Sequence, residues 1–177
     1  MFKRLSVAIA SVVVLLSGCT TFGPPPSCEQ FDAQSKKTNY ATQYNLKGND
    51  TTSLQKNELA KTATYEITLD SEKVWPCSHV AIKKDLTLAR SDNKNLIFEE
   101  TREFFAANGA RIVAKNETLT EQLKKSGRYQ ATILLPIPKG APPGKYRIVS
   151  TLNVKTPGKA ATVIGKSSAT FEVLAVK

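Results

Sequence analysis

The sequence predicts a mainly β protein: an antiparallel β-sandwich of about seven strands with one or two short helices. The first observation is a period-two alternation of apolar and polar residues that dominates from residue 62 onward. The second is the set of Gly- and Pro-rich turns between these runs. The third is the lack of a Gly-rich phosphate loop or a βαβ rhythm. The 177 residues suit one domain with a real core.

The candidate strands each place apolar side chains at every second position, which predicts antiparallel sheets with one face on a core. Three charged residues, Lys84, Glu100 and Arg102, interrupt this pattern at positions of the apolar parity. The predicted inward residues are Ala63, Tyr65, Ile67, Leu69, Val80, Ile82, Leu86, Leu88, Leu96, Phe98, Phe104, Tyr129, Ala131, Ile133, Leu135, Tyr146, Ile148, Leu152, Val154, Ala169, Phe171, Val173 and Ala175.

Turn and helix signals divide these strands. Pro157 and Gly158 occupy the two central places of a type II turn, in which Gly supplies the positive φ. A helix is predicted over Thr118–Ser126, where the first residue and Glu121 have capping-box spacing. A second is predicted over Ser27–Lys36 on similar spacing. The polar stretch 38–61 is expected to be irregular cover, with a short helix near 54–60.

One segment sharpens the fold. Pro142-Pro143-Gly144-Lys145-Tyr146-Arg147-Ile148 resembles the start of strand F in immunoglobulin-like domains, where a tyrosine-corner Tyr follows a Gly by two positions. The resemblance covers about residues 128–176 and implies an immunoglobulin-like sandwich. Because Ile148 stands where antibody domains have a Cys, it also implies that the antibody-type disulfide between the sheets is missing.

The N-terminus has the pattern of an export signal. A basic start, Met1–Arg4, precedes the apolar stretch Leu5–Leu16. Twelve residues are too few to span a bilayer, which needs about 20 in a helix, but they suit the apolar region of a signal peptide. The next residues, Leu16-Ser17-Gly18-Cys19, resemble the bacterial lipobox. The resemblance implies cleavage before Cys19, a diacylglycerol on its thiol and an acylated α-amine.

This anchor would hold the protein on a membrane, because two or more acyl chains bind stably where one binds reversibly. Thr20, rather than Asp, follows Cys19, and the resemblance therefore implies the outer membrane, facing the periplasm, with surface display left open. Three prolines make the segment after Cys19 an extended spacer. The predicted organisation is a signal peptide (1–18), a lipidated Cys and tether (19–27), an irregular cover segment (28–61) and the sandwich (62–177).

Two cysteines remain besides Cys19. In an oxidising compartment, Cys28 and Cys77 predict one disulfide. Closing a loop of about 50 residues would stabilise the fold by about 4 kcal/mol in the chain-entropy model. The alternative is a reactive Cys77 beside His79, although no orienting partner or oxyanion site is recognisable. With a single His, and no Cys or acidic cluster at metal spacing, we expect neither a metal site nor a cofactor.

The basic excess is concentrated near the C-terminus. The formal charge is +10, and loss of the signal with Lys3 and Arg4 leaves +8. Strand parity and turn position predict one basic face, formed by Arg147, Lys155, Lys159 and Lys166. This face could attract an anionic envelope component, such as lipid headgroups, lipopolysaccharide or peptidoglycan carboxylates, or an acidic envelope protein. Alternatively, the lysines only keep the surface soluble and block edge pairing.

The sequence favours a non-enzymatic binding or assembly module of the bacterial envelope. A pilotin-like lipoprotein that escorts a secretion or pilus protein is the first alternative, and it predicts an apolar groove or an unpaired edge strand. An envelope hydrolase is the second, but Glu99, Glu100 and Glu103 have no recognised catalytic spacing and are interpreted as a charged solvent face. Nucleic acid is not expected as a partner, because no aromatic residues are interleaved with the lysines.

Overall fold

The computed structural model describes residues 27–49, 52–93 and 95–176, so the predicted signal peptide, Cys19 and most of the predicted tether lie outside the described residues. The described part contains one helix and nine strands. Their bounds are α1 (Cys28–Ser35), β1 (Asn45–Gly48), β2 (Ala60–Leu69), β3 (Lys73–Val74), β4 (Ser78–Arg90), β5 (Ile97–Phe105), β6 (Arg111–Thr118), β7 (Gly127–Ile137), β8 (Gly144–Lys155) and β9 (Thr162–Val173).

The strands form two sheets. Sheet A has the order β1-β7-β4-β2, and sheet B has the order β3-β9-β8-β5-β6. All pairs are antiparallel except β3 with β9. The predicted immunoglobulin-like antiparallel sandwich is confirmed. The number of strands exceeds the predicted seven because two short strands, β1 and β3, add to the sheets.

Period-two burial builds the core between the sheets. On β4, Val80, Ile82, Leu86 and Leu88 are fully buried, and Lys84 shares their inward parity. On β8 the inward residues are Ile148, Leu152 and Val154, together with Ser150. Ala63 is an exception to the predicted inward set, because a bulge between Thr62 and Thr64 leaves it exposed.

The sandwich closes most tightly along β2 and β9. Gly165 on β9 lies against the ring of Tyr65, and a Cβ built at this glycine would come within 2.7 Å of the ring. The Ile67 backbone N–H donates to the Ser167 hydroxyl at 3.0 Å, and the Thr62 hydroxyl donates to the Ile164 carbonyl. These contacts join the edges of the two sheets through side chains.

The local signals from the sequence have mixed outcomes. Helix α1 forms where a helix was predicted, and the hydroxyl of its N-cap Ser27 accepts from the Gln30 N–H at 3.2 Å. The Tyr146 hydroxyl donates to the Pro142 carbonyl at 2.6 Å, which is the tyrosine-corner bond. Gly158 has φ 72°, and Lys159 closes its turn as expected.

The helix predicted over Thr118–Ser126 is wrong. Only one turn forms, with Gln122 and Leu123 donating their N–H groups to the Leu119 carbonyl. The Leu119 N–H itself donates to the Phe98 carbonyl, so the chain is still attached to β5 where the helix would begin. The side chains of Leu119 and Leu123 are buried in the core and fix the position of this segment, so it does not continue as a helix. Residues 54–60 likewise form a turn followed by the start of β2.

Candidate functional site

The disulfide predicted from cysteine counting joins Cys28 to Cys77, with 4.9 Å between their Cα atoms. Cys28 is the first residue of α1, and Cys77 is buried at the start of β4. The Cys77 N–H donates to the Ile137 carbonyl at 2.8 Å. The bridge therefore fastens the start of the described chain to one end of the sandwich. Since its sulfur is in the bridge, Cys77 is not a free thiol beside His79.

The single histidine packs among side chains from the cover segment. His79 Nε2 lies 3.0 Å from the Tyr40 hydroxyl and 3.4 Å from the Ser35 hydroxyl. The ring of Phe31 is 4.9 Å away between centroids. Burial lowers the pKa of His79. This arrangement holds α1 against the outer face of sheet A.

The four predicted basic residues do not form a cluster. Arg147 and Lys166 are exposed on the outward face of sheet B, where the Arg147 guanidinium lies 4.7 Å from the centroid of the Phe105 ring. Lys155 is paired with Glu99 at 2.8 Å. Lys159 lies in the turn after β8. Eight residues of strand separate Arg147 from Lys155, or about 27 Å, so the charge is spread along the hairpin.

A buried polar layer lies between the two sheets. The Lys84 ammonium on β4 contacts the Glu100 carboxylate on β5, and both side chains are fully buried. The Ser150 hydroxyl donates to Glu100 at 2.7 Å and accepts from the Tyr65 hydroxyl at 2.9 Å. Burial lowers the pKa of Lys84 well below its usual range and raises the pKa of Tyr65 to about 12. Because its members are enclosed, this layer joins the sheets rather than reaching a solute.

The position of Glu100 corrects an expectation. Together with Glu99 and Glu103, it was interpreted as part of a charged solvent face, but it points into the core. Glu99 and Glu103 do face outward, where they pair with Lys155 and with Arg111. Period two explains the difference, since Glu100 has the parity of Phe98 and the other two glutamates do not.

The polar layer continues to the side of the sandwich. Arg102 on β5 contacts the Glu117 carboxylate on β6. Glu117 accepts from the Thr42 N–H at 3.0 Å and from the Thr42 hydroxyl at 2.6 Å, and it lies 3.1 Å from the Lys115 ammonium. Burial alone would raise the pKa of Glu117, but these hydrogen bonds and the Arg102 charge outweigh it and lower the pKa to about 2. The network holds residues 40–44 across the gap between the sheets.

An apolar groove of about 330 Å³ opens at the end of the sandwich that carries the disulfide. We call this end of the sandwich the tether end and define it by the turns at residues 106–110 and 138–143. Ile137, which accepts the Cys77 N–H, lies in the groove wall. Other lining side chains are Phe104, Val113, Leu135, Tyr146 and Phe171.

Strand β6 borders the groove as the outermost strand of sheet B. It pairs only with β5 in the described part of the chain, so its second edge is open. Its Ile112 and Val113 are 56% and 51% exposed. Sequence reasoning missed both the groove and this edge. For the groove, Pro136 within β7 was a usable signal, because proline inside a strand indicates an open edge, and β1 pairs with β7 only at Arg128–Gln130. Pro136 gives no information on β6, which belongs to the other sheet.

No helix among the described residues is long and apolar enough to cross a membrane. Among the same residues, no three His, Cys, Asp or Glu side chains converge in a way that could hold a metal ion.

Comparisons with known proteins leave the family open. No model of a known protein family matches the chain, and no curated protein matches it. Among solved structures, the C-terminal domain of Wzt is similar with a TM-score of 0.45 and 10% identity, covering 79% of this chain and 82% of that one. A CARDB domain from Pyrococcus furiosus gives a TM-score of 0.40 and 13% identity, covering 67% and 97%. The CooA pilin subunit of enterotoxigenic Escherichia coli gives 0.30 and 10%, covering 63% and 99%.

Proposed function

We propose that this protein is a lipid-anchored, non-enzymatic binding or assembly module of the bacterial envelope. Acyl chains on Cys19 hold it on the outer membrane, facing the periplasm. The disulfide between Cys28 and Cys77 is the observation that carries this proposal. Such bonds persist in oxidising compartments such as the periplasm and are rare in the cytosol. Cys28 also directly follows the tether, so the bridge fastens the end of the tether to the sandwich.

The anchor is tested by expressing the full chain in a Gram-negative host fed an alkyne-labelled fatty acid. We expect label on the protein and recovery in the outer-membrane fraction. C19A should remove both, because the acylated thiol is then missing. T21A is the matched control, since it changes a residue near Cys19 but leaves the lipobox and both disulfide cysteines intact. Unlabelled wild-type protein in the soluble fraction would contradict the proposal.

The exposed cations on the β8–β9 hairpin are the proposed contact for an anionic envelope component or an acidic envelope protein. Arg147 and Lys166 are free to act in this way, whereas Glu99 already neutralises Lys155. We therefore expect the double variant R147E/K166E to lose binding to purified peptidoglycan or to anionic vesicles. K155E should lose less, and equal binding by all three proteins would contradict this role.

A pilotin-like function is the second candidate, and the open edge of β6 favours it. A segment of a secretion or pilus protein could add to this edge as a further strand, with backbone hydrogen bonds supplying affinity. This function predicts that deleting the gene mislocalises one specific outer-membrane assembly protein. Normal localisation of such proteins in the deletion strain would leave the first candidate alone.

A further inference from the structure

We propose that the tether end of the sandwich docks on the membrane that carries the lipid anchor, with β6 and its groove in contact with lipid. This inference deepens the proposed function and depends on the anchor at Cys19. It adds an orientation: the β-sandwich stands on the membrane by a specific end rather than swinging freely from its tether.

The position of the tether carries the first step. Ser27 caps α1, and Cys28 is bonded to Cys77, whose N–H donates to Ile137 in the groove wall. The chain outside the structure therefore departs from beside the groove. Eight Cα–Cα steps lead from Cys19 to Ser27 and reach at most about 29 Å. The strands of the sandwich are longer, since the 12 residues of β8 span about 40 Å. The tether end thus always stays close to the anchor, whereas the opposite end reaches the bilayer only when the sandwich lies on its side.

The β6 corner of the tether end carries little charge. The turn at 106–110 reads Ala-Ala-Asn-Gly-Ala and has no charged side chain, and the turn at 138–143 has only Lys139. The other loop at this end, residues 70–77, contains Asp70, Glu72 and Lys73 and lies beside β3, at the edge of sheet B opposite to β6. Charged side chains are costly in the apolar part of a membrane. The β6 corner is therefore the part of the tether end that a lipid surface can accept.

Exposed apolar side chains are found at the same end. Ile112 and Val113 flank the groove, and Val176, just beyond β9, is 59% exposed. Binding at a lipid interface grows with the apolar area that leaves water and with attraction between cations and anionic lipids. Lys139 supplies such a cation beside the groove, whereas Arg111 is already paired with Glu103. The exposed Glu72 lies beside β3 at the other corner, so we place the contact at the β6 corner.

The test uses a tryptophan placed in the contact itself. The variant I112W is made in a W75F background, because Trp75 directly follows β3, at the edge of sheet B opposite to β6. The lipidated full chain of this variant, purified from membranes, is reconstituted into vesicles of phosphatidylethanolamine and phosphatidylglycerol with or without brominated acyl chains. We expect brominated lipid to quench the introduced tryptophan. V113E should reduce this quenching at least about twofold, because it places a charge in the contact.

V163E is the matched control, because it makes the same substitution at a residue that is 58% exposed near the start of β9, at the opposite end. It should leave quenching unchanged. Thermal unfolding checks that each variant is folded. Quenching that is absent from I112W/W75F, or reduced equally when V113E or V163E is added to it, would overturn the inference.

Two further outcomes separate this inference from the function on which it rests. Flotation of the protein with vesicles reports the anchor, so I112W/W75F protein that floats without quenching overturns docking while the anchor stands. Protein that fails to float overturns both. Hydrogen exchange tests whether β6 binds a protein partner instead of lipid. Protection of β6 amides in native membranes but not in pure lipid vesicles would overturn lipid docking and assign the edge to a peptide.

Discussion

At the scale of single residues, the buried polar layer determines how the two sheets are aligned. Lys84 and Glu100 come from different sheets and meet where neither side chain has any exposed surface. An uncompensated charge or unsatisfied polar group in such a place is expensive. The layer therefore fixes how β4 faces β5, because a shifted register would leave both residues without a partner.

The variant K84M is expected to lower the free energy of unfolding by about 3 to 5 kcal/mol, since Glu100 keeps its burial and loses its partner. Urea denaturation at neutral pH measures this loss. The matched control is K155M, which removes the partner of Glu99 at the surface and should cost about 1 kcal/mol or less. Similar losses from the two substitutions would mean that burial does not distinguish the pairs.

Glu117 gives the molecule an acid-sensitive contact. Its pKa is about 2 in the folded protein, below the usual value of 4.5. The ionised form is therefore favoured by folding, and this contribution is present above about pH 5 and lost as the pH falls towards 2. Between about pH 6 and about pH 2.5, wild type should lose about 2 to 3 kcal/mol more stability than E117Q.

This comparison requires urea denaturation at a series of pH values for both proteins. E121Q serves as the control, because it removes a carboxylate that is exposed at the surface. Its pH profile should run parallel to that of wild type. If E117Q also runs parallel to wild type, the contact between Glu117 and Thr42 does not stabilise the folded state as described.

At the scale of elements, α1 depends on its attachment. The helix has only eight residues and buries a single side chain, Phe31. Isolated helices of this length are marginal in water. Its disulfide and the contacts of His79 with Ser35 and Tyr40 therefore hold it in place. The sequence could predict this helix because its N-cap signal is local.

The variant C28S/C77S is expected to lose about 4 kcal/mol in the chain-entropy model, because the bridge closes a loop between cysteines 49 residues apart. Guanidinium denaturation of both proteins, with and without a reductant, measures the loss. Reductant should bring wild type to the stability of the double variant and leave the variant unchanged. A reductant effect on the variant would show that another process is being measured.

The predicted helix at Thr118–Ser126 failed for a reason that a local signal does not contain. Its capping-box spacing is genuine, but Leu119 is still bonded to β5 and both of its leucines are drawn into the core. Its Gln122 side chain also accepts from the Tyr44 N–H at 2.7 Å. Tertiary contacts therefore replaced the helical hydrogen bonds after one turn.

At the scale of the whole molecule, the sandwich is closed on one side by direct packing and on the other by a polar network. On the β2–β9 side, Gly165 allows the Tyr65 ring to approach the backbone. On the β6–β7 side, Glu117 and Gln122 hold residues 40–44 across the gap. The groove lies at the tether end, where sheet A does not cover the exposed Val113 on β6.

The variant G165A tests the tight side. Its new methyl group would overlap the Tyr65 ring, so we expect a loss of about 1 to 3 kcal/mol from overpacking. Thermal and urea unfolding measure the change. G140A is the matched control, because no atom lies within 4 Å of a Cβ at that position, and it should change stability by less than about 0.5 kcal/mol. Equal effects would indicate that the sheets can move apart without cost.

The sequence by itself determined the properties that depend on local pattern: strand parity, the tyrosine corner, the N-cap of α1 and the pairing of the two cysteines left after Cys19. Each is encoded within a few residues or by simple counting. Tertiary structure alone decided that Glu100 meets Lys84, that Thr118–Ser126 makes only one turn, and that a groove opens beside β6. These depend on which distant strands meet. The alternation of a single strand says which side chains share a face, but not what the opposite sheet places against them.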